Sequence, residues 1–357
     1  MNQLPAWLTD RTLSADIASL LAPENPMDIE SLAAEARATT LRRFGRIISL
    51  YAPLYLSNFC SSGCIYCGFA SDRKSPRRKL EPDEIEQELK AMKALGIGDV
   101  LLLTGERTGN AGYDYLRRAI EMAARHMPRV AVEAFPMSVA EYHGLAEAGC
   151  TGMTIYQETY DPDNYRDLHR WGPKRDFLER LETPERALAG GIRTVGIGAL
   201  LGLAEPVSEA LALARHVRHL CKTYWKAGVS VSFPRIRPQE GGYQPPFPVD
   251  DQFLARMIFA FRIAMPDVDL VLSTRESPRF RDGMAGLGIT RMSIASKTTV
   301  GGYHDPKSAG STQFEVSDNR SAEEFCRALR SKNIEPVFKN WDTAYNEPVT
   351  GEEAACH

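Results

Sequence analysis

The chain has 357 residues, of which 43% are hydrophobic and 25% charged, with a formal net charge of −3. Such a balance excludes a chain too polar to build a core, and its slight acidity excludes a uniform basic field for nucleic acid. No run of about 18 apolar residues occurs and Asp10 and Asp16 interrupt the N-terminus, so neither a membrane span nor a secretory signal is expected; a cytoplasmic protein is, with its seven cysteines as thiols or metal ligands.

In chain order, residues 1–45 read as an N-terminal helical segment, with a helix over Asp28–Phe44. Eight apolar runs follow: Ile47–Asn58, Val100–Glu106, Val130–Pro136, Met153–Thr159, Thr194–Leu203, Val229–Pro238, Val268–Glu276 and Ile289–Thr298. They are rich in Val, Ile and Leu and show little alternation, the pattern of parallel strands buried on both faces. Amphipathic stretches separate them. In Glu81–Leu95, Pro82 suits a first turn, Asp83 and Glu84 suit the positive helix end, and Ile85, Leu89, Met92 and Leu95 share one face. Glu209–Lys226 and Asp251–Ala264 repeat the theme. Eight strand–helix units over residues 46–302 imply an α/β fold, a closed (β/α)8 barrel of TIM type, with a doubly wound open sheet as the alternative. Residues 303–357 form a C-terminal extension with a helix over Ser321–Ser331 and a strand over Glu335–Lys339.

Barrel chemistry collects at the C-terminal strand ends. Here those ends carry Thr104-Gly105-Glu106, Glu133, Tyr156-Gln157-Glu158-Thr159, Arg235 and Arg237, Thr274-Arg275-Glu276, and Ser296-Lys297. After the first run comes Cys60-Ser61-Ser62-Gly63-Cys64-Ile65-Tyr66-Cys67, three thiols in eight residues. Three thiolates on one loop suit three irons of a cubane cluster and leave the fourth iron open to a ligand. Structural zinc is the competing reading. It needs a fourth ligand, and the next candidates, His126 and Cys150, lie far along the chain. Arg73-Lys74 and Arg77-Arg78-Lys79 read either as a solvated loop or as a positive rim over an anionic site.

The cysteine triplet, with Tyr66 before its third member, resembles the radical S-adenosylmethionine superfamily. The segments Leu54–Asn58, Cys67-Gly68-Phe69, Leu103–Glu106, Tyr156–Tyr160, Arg180–Pro184, Val231–Pro238, Leu272–Pro278 and Ser296-Lys297-Thr298 narrow this to the aromatic amino-acid lyases, the 2-iminoacetate synthases above all. The likeness runs from about Asp28 to Trp341-Asp342. It implies one 4Fe–4S cluster on Cys60, Cys64 and Cys67, S-adenosylmethionine as cofactor, and cleavage of the Cα–Cβ bond of L-tyrosine to 2-iminoacetate and p-cresol for thiamine thiazole synthesis. A flavodoxin-type or other reductant and thiazole synthase are the implied partners, with no nucleic acid and no membrane. The alternatives are a related lyase acting on tryptophan and a non-enzymatic metal-binding module. Hydrogenase-maturation tyrosine lyases carry a second cysteine cluster in a long extension, whereas the tail here offers only Cys326 and Cys356.

Their strand-end position makes Thr104, Gly105 and Glu106 expected cofactor residues, and the resemblance adds Tyr66, Glu158 and Arg180, with Arg180 pairing the methionine carboxylate. Arginine's planar fork suits that task. A free amino acid brings a carboxylate that must be oriented, and Arg275 is the expected anchor; its competing reading is a structural pair with Glu276. Arg235 and Ser296 are the other expected catalytic residues. Arg237, two along from Arg235 and pointing the same way, and Lys297 are also near the mouth, and Tyr55, Ser57 and Asn58 flank the cysteine loop.

Overall fold

A computed structural model describes residues 4–305 and 310–338. Eight strands, β1 (Ile47–Tyr55), β2 (Asp99–Leu103), β3 (Arg129–Glu133), β4 (Gly152–Glu158), β5 (Thr194–Ala199), β6 (Gly228–Ser232), β7 (Asp269–Leu272) and β8 (Arg291–Ser293), pair in parallel in sequence order. Because β1 pairs with both β8 and β2, the ring closes. This is the (β/α)8 barrel, and the closure rules out the open sheet. The strands begin close to where the apolar runs predict and stop short of where those runs end. In the fifth, Leu200, Leu201 and Leu203 are buried beyond the last strand residue, Ala199. Leu201 keeps a single bridge to Arg235, its N donating to Pro234 O at 2.7 Å, but the strand does not continue through the run, and apolar composition alone does not separate the two situations.

The expected helices are present. Pro82–Ala94 starts on a reciprocal capping box between Glu81 and Glu84, and Ile29–Phe44 is capped by the Asp28 side chain accepting from Ser31 N at 2.8 Å. Pro206–Thr223 and Asp251–Ala264 bury their apolar faces on the barrel. The N-terminal helices wrap these two: Arg215 Nη1 donates to Leu8 O at 2.9 Å and Arg256 Nε to Leu20 O at 3.1 Å.

The described part of the extension touches both ends of the barrel. Near the mouth, Gln313 N donates to Thr298 O (3.0 Å), while Gly68 N in the cysteine loop donates to Gln313 O (3.2 Å). Beyond the helix Ala322–Arg330, the strand β9 (Glu335–Val337) pairs with the first residues of β1 at the opposite end. Lys339, the expected last residue of that strand, lies outside the described residues, as do Trp341, Asp342 and Cys356. Among the described residues no helix is long and apolar enough to cross a membrane.

Candidate active site at the barrel mouth

Two adjoining cavities open at the C-terminal ends of the strands. One runs down the barrel axis and is lined by Tyr51, Tyr55, Glu133, Tyr156, Arg275, Ser296 and Phe314, among others. The other shares Glu133, Tyr156, Arg275, Gln313 and Phe314 and reaches Tyr66, Cys67, Glu158 and Lys174. The arrangement joins the cysteine loop to the barrel axis.

The loop is held by backbone and arginine bonds. Ile65 N donates to Leu168 O (3.1 Å) and Gly63 N to Trp171 O (3.0 Å). Gly172 comes so close that a Cβ there would lie 2.5 Å from Ser62 Oγ, and its φ of +88° is one that L side chains rarely adopt. Arg73 Nη2 donates to Ile65 O (2.9 Å), and Arg77 Nη1 donates to Asn58 O (2.7 Å) and Phe69 O (2.9 Å). The Arg73 and Arg77 side chains thus satisfy loop carbonyls that would otherwise lack donors, while Lys74 is exposed. Asn58 joins them, its Oδ1 accepting from Arg78 N at 2.7 Å.

All three thiols are free, with Cys64 buried. Burial pushes the Cys60 thiol up to about 11, with Cys67 and Glu106 adding to it; burial raises Cys64 as well, and there Cys67 and Cys60 contribute in the same direction. Cys67 thus acts on both of the other thiols. No group of three or more His, Cys, Asp or Glu among the described residues is gathered tightly enough to hold a metal ion. That counts against a closed zinc site formed by them. A cubane instead offers each thiolate a different iron, so its ligands need not converge on one point. At the end of β2, a Cβ on Gly105 would lie 2.5 Å from Phe59 O and 2.8 Å from the Cys60 Cβ. The second strand end and the cysteine loop are in direct contact there, and only glycine permits it.

Beside the loop lies a buried ionic group. Arg180 donates through Nε to Tyr156 O (2.6 Å) and through Nη1 to Glu106 Oε1 (3.0 Å), and its Nη2 is 3.6 Å from Glu158 Oε1. Lys174 Nζ donates to the same Glu158 oxygen at 2.6 Å. Burial would raise the Glu158 carboxyl, but Lys174 and Arg180 more than reverse this and hold it below the usual range. A register shift in β4 between Tyr156 and Glu158, where Glu158 has φ 70°, places this side chain. Glu106 Oε2 and Thr104 Oγ1 are buried without partners. Two anions and two cations, with a carboxylate oxygen among them that still lacks a bond, could receive a zwitterion.

Tyr66 is fixed from behind. Its hydroxyl donates to His169 Nε2 (2.7 Å), whose Nδ1 donates to Tyr165 O (2.7 Å). The carbonyl only accepts, which sets this tautomer, and burial followed by the Lys174 charge lowers the imidazole to about 3, so it stays neutral.

On the axial side Arg275 lies over the Phe314 ring, 3.4 Å from its centroid, and its Nη1 donates to Arg235 O at 3.4 Å. It is not paired with Glu276. That carboxylate, 1% exposed, is held by Arg235 and by Arg237 Nη2 at 2.8 Å. Arg235 also donates to Val249 O and Asp251, which occupies its donors and removes it from the cavity lining. The expectation of Arg235 as a catalytic residue is therefore corrected: the geometry gives it a structural role through Glu276. Ser296 lines the axial cavity with its hydroxyl unpartnered, whereas Lys297 is exposed. Tyr55 donates to Gln313 Oε1 at 2.7 Å, and Gln313 Nε2 is 3.9 Å from Cys67 Sγ. Ser57 is buried in a bridge to Lys79. Lys174, Gln313 and Phe314 are site residues that the sequence reading does not single out.

A parallel barrel with three cysteines after its first strand, their loop open to a cavity on the barrel axis, defines a class. Residues 54–217 match the Radical SAM superfamily, and residues 232–335 match the Biotin and Thiamin Synthesis associated domain. That superfamily implies a 4Fe–4S cluster and S-adenosylmethionine, and the donor set just described fits both. The chain is 40% identical over 329 residues to 2-iminoacetate synthase of Escherichia coli (strain K12), covering 92% of this chain and 87% of the relative, and it belongs to the 2-iminoacetate synthase family. Among solved structures, the FeFe-hydrogenase maturase HydG from Carboxydothermus hydrogenoformans superposes with a TM-score of 0.84 at 31% identity, over 92% of this chain and 76% of that one. Methylornithine synthase (PylB), at 20% identity and a TM-score of 0.71 over 92% of this chain and 94% of that one, shares the fold.

Proposed function

We propose that this chain is a radical S-adenosylmethionine carbon–carbon lyase that cleaves the Cα–Cβ bond of L-tyrosine to 2-iminoacetate and p-cresol. Family membership supports the reaction. The observation that carries the site is the position of Arg275: a cation with no ion pair among the described residues, lining both the axial cavity and the cavity that reaches Cys67. When bound, the cluster and S-adenosylmethionine supply one-electron chemistry that removes a hydrogen atom from the substrate.

The chain's own residues do the holding. Cys60, Cys64 and Cys67 would ligate the cluster. Thr104, Gly105 and Glu106 at the second strand end, with Tyr66, Glu158 and Arg180, would receive the cofactor. Arg180 already has two carboxylate neighbours, so the methionine carboxylate would compete with Glu106 and Glu158 for the guanidinium while its ammonium takes up the carboxylate released. Lys174 completes the charge balance. Arg275 would bind the substrate carboxylate, with the unpartnered Ser296 hydroxyl beside it, and the tyrosine ring would lie in the cavity among Tyr51, Tyr55 and Phe314. A flavodoxin-type reductant as electron source and thiazole synthase as consumer of the imine complete the proposal.

Anaerobic incubation of the iron-reconstituted protein with S-adenosylmethionine, a reductant and either tyrosine or tryptophan tests this reading. p-Cresol from tyrosine alone is the expected result. Cleavage of tryptophan but not tyrosine would move the assignment to the tryptophan lyases, and a colourless zinc protein would replace it with a binding module.

A further inference from the structure

Most charged side chains around the mouth have partners within the protein. Glu106 and Glu158 share Arg180 and Lys174, and Glu276 takes Arg235 and Arg237. Among the described residues that line the two cavities, Glu133 and Arg275 are the exceptions. Glu133 is the last residue of β3, and its carboxylate has no hydrogen bond or ion pair among the described residues, yet it lines both cavities. Arg275 follows β7, four strands round an eight-strand ring, and so enters from the opposite side. The two groups interact through space without forming a pair.

An unpaired anion and an unpaired cation across one cavity match a free amino acid, which brings an ammonium and a carboxylate on the same carbon. We propose that Glu133 is the receptor for the substrate's amino group and the base that takes a proton from it. The step is a proton transfer alone: the N–H bond of the substrate ammonium breaks, an O–H bond forms on Glu133, and the nitrogen keeps the electron pair as a neutral amine. No oxidant or reductant enters. The inference rests on the reading of tyrosine as substrate and adds a residue that orients its nitrogen.

The surroundings suit the task. Burial pushes the Glu133 carboxyl up to about 7, with Arg275 opposing and Glu158 assisting; Lys174 and Arg180 act from further along the cofactor side. The phenols of Tyr51, Tyr55 and Tyr156 complete its walls, all raised by burial and further by Glu133, so they stay neutral. A carboxyl poised near neutrality accepts a proton from an ammonium far more readily than an exposed one.

The test is binding to the reconstituted holoprotein, comparing tyrosine with 3-(4-hydroxyphenyl)propanoate, which keeps the ring and carboxylate and lacks the amine. Wild type should prefer tyrosine, and its affinity should rise roughly tenfold between pH 6 and 8 as a carboxyl of pKa near 7 ionises. Affinity for the analogue should not rise, since the ionised Glu133 offers it nothing. Glu133→Gln should lose about tenfold or more in tyrosine affinity at pH 8 and lose the pH dependence, while its affinity for the analogue is kept. Iron content and melting temperature establish that the variant is folded. If it is not, the wild-type pH series for the two ligands decides alone. Unchanged preference in Glu133→Gln, or parallel pH curves for both ligands in wild type, would overturn the assignment. A wild-type protein that makes no p-cresol would instead sink the lyase reading, which keeps the two failures distinct.

Discussion

Two arginines near the mouth look alike in sequence and differ in what they touch. Arg235 holds a carboxylate that is almost fully buried, and Arg275 lies on Phe314 facing a cavity. Removing Arg235 leaves that carboxylate with Arg237 alone and costs about 1–3 kcal/mol for the lost buried bonds. Arg235→Ala should therefore lower the melting temperature, while Arg275→Ala should leave it nearly unchanged and weaken tyrosine binding. In Arg275→Ala the yield of p-cresol per 5′-deoxyadenosine should fall, because a substrate without its carboxylate anchor is poorly placed for hydrogen abstraction. Arg275→Lys should rescue only partly, since an ammonium keeps the charge and loses the fork. Wild-type tyrosine affinity and product ratio in Arg275→Ala would remove Arg275 from the site. The strand-end rule directs attention to both arginines; which of them is occupied depends on Glu276, adjacent to Arg275 in sequence and bonded to Arg235 in space, and no spacing argument resolves that.

At the scale of elements, the eight strands are legible because strands buried on both faces need apolar residues throughout, and the helices because their caps and periodicity agree with their burial. The site is legible where it coincides with a strand end. Glu158 depends on a register shift in β4, Lys174 on the short turn that straps the cysteine loop, and Gln313 on a segment returning to Cys67 from 246 residues away. Those are long-range or backbone-geometry facts that composition and period do not encode. The contact between the second strand end and the cysteine loop gives a direct test of how tightly elements fix the site. In Gly105→Ala the new Cβ would meet a backbone oxygen at 2.5 Å and the Cys60 Cβ at 2.8 Å, with no flexible side chain tip to give way. The loop must shift, and the iron bound per chain after anaerobic reconstitution should drop. Gly109→Ala, four residues on and with nothing within 4 Å of the added carbon, should bind iron as wild type does. Equal iron in the two variants would mean that the loop is not set by this contact.

Over the whole molecule, the N-terminal segment is fastened to the barrel through the helix Pro206–Thr223. Trp7 stacks on His216 and His219, each at a centroid distance of 4.8 Å, and Tyr160 at the end of β4 reaches His216 Nδ1 at 2.8 Å. His216 is 1% exposed, and burial, with His219 adding, lowers it from 6.5 to about 3. A depressed histidine means that the unfolded chain binds the proton more tightly. The stability it contributes is complete above pH 6.5 and is lost as the pH falls from there toward about 3. Each unit of that interval is worth about 1.4 kcal/mol, so roughly 2 kcal/mol should disappear by pH 5. Glu209, on the same helix, has the opposite sign: burial raises its carboxyl to about 7, so folding takes up a proton there as the pH falls from about 7 toward 4.5. The bare pH profile of stability therefore mixes the two. Subtraction separates them, because Glu209 is present in both wild type and His216→Gln. The variant should be less stable at pH 7.5, having lost the Trp7 stack and the Tyr160 bond, and that deficit should shrink by about 2 kcal/mol when unfolding is repeated at pH 5.0. A deficit that stays constant between the two pH values would show that the histidine is not held neutral, and that the N-terminal segment does not exclude water from it.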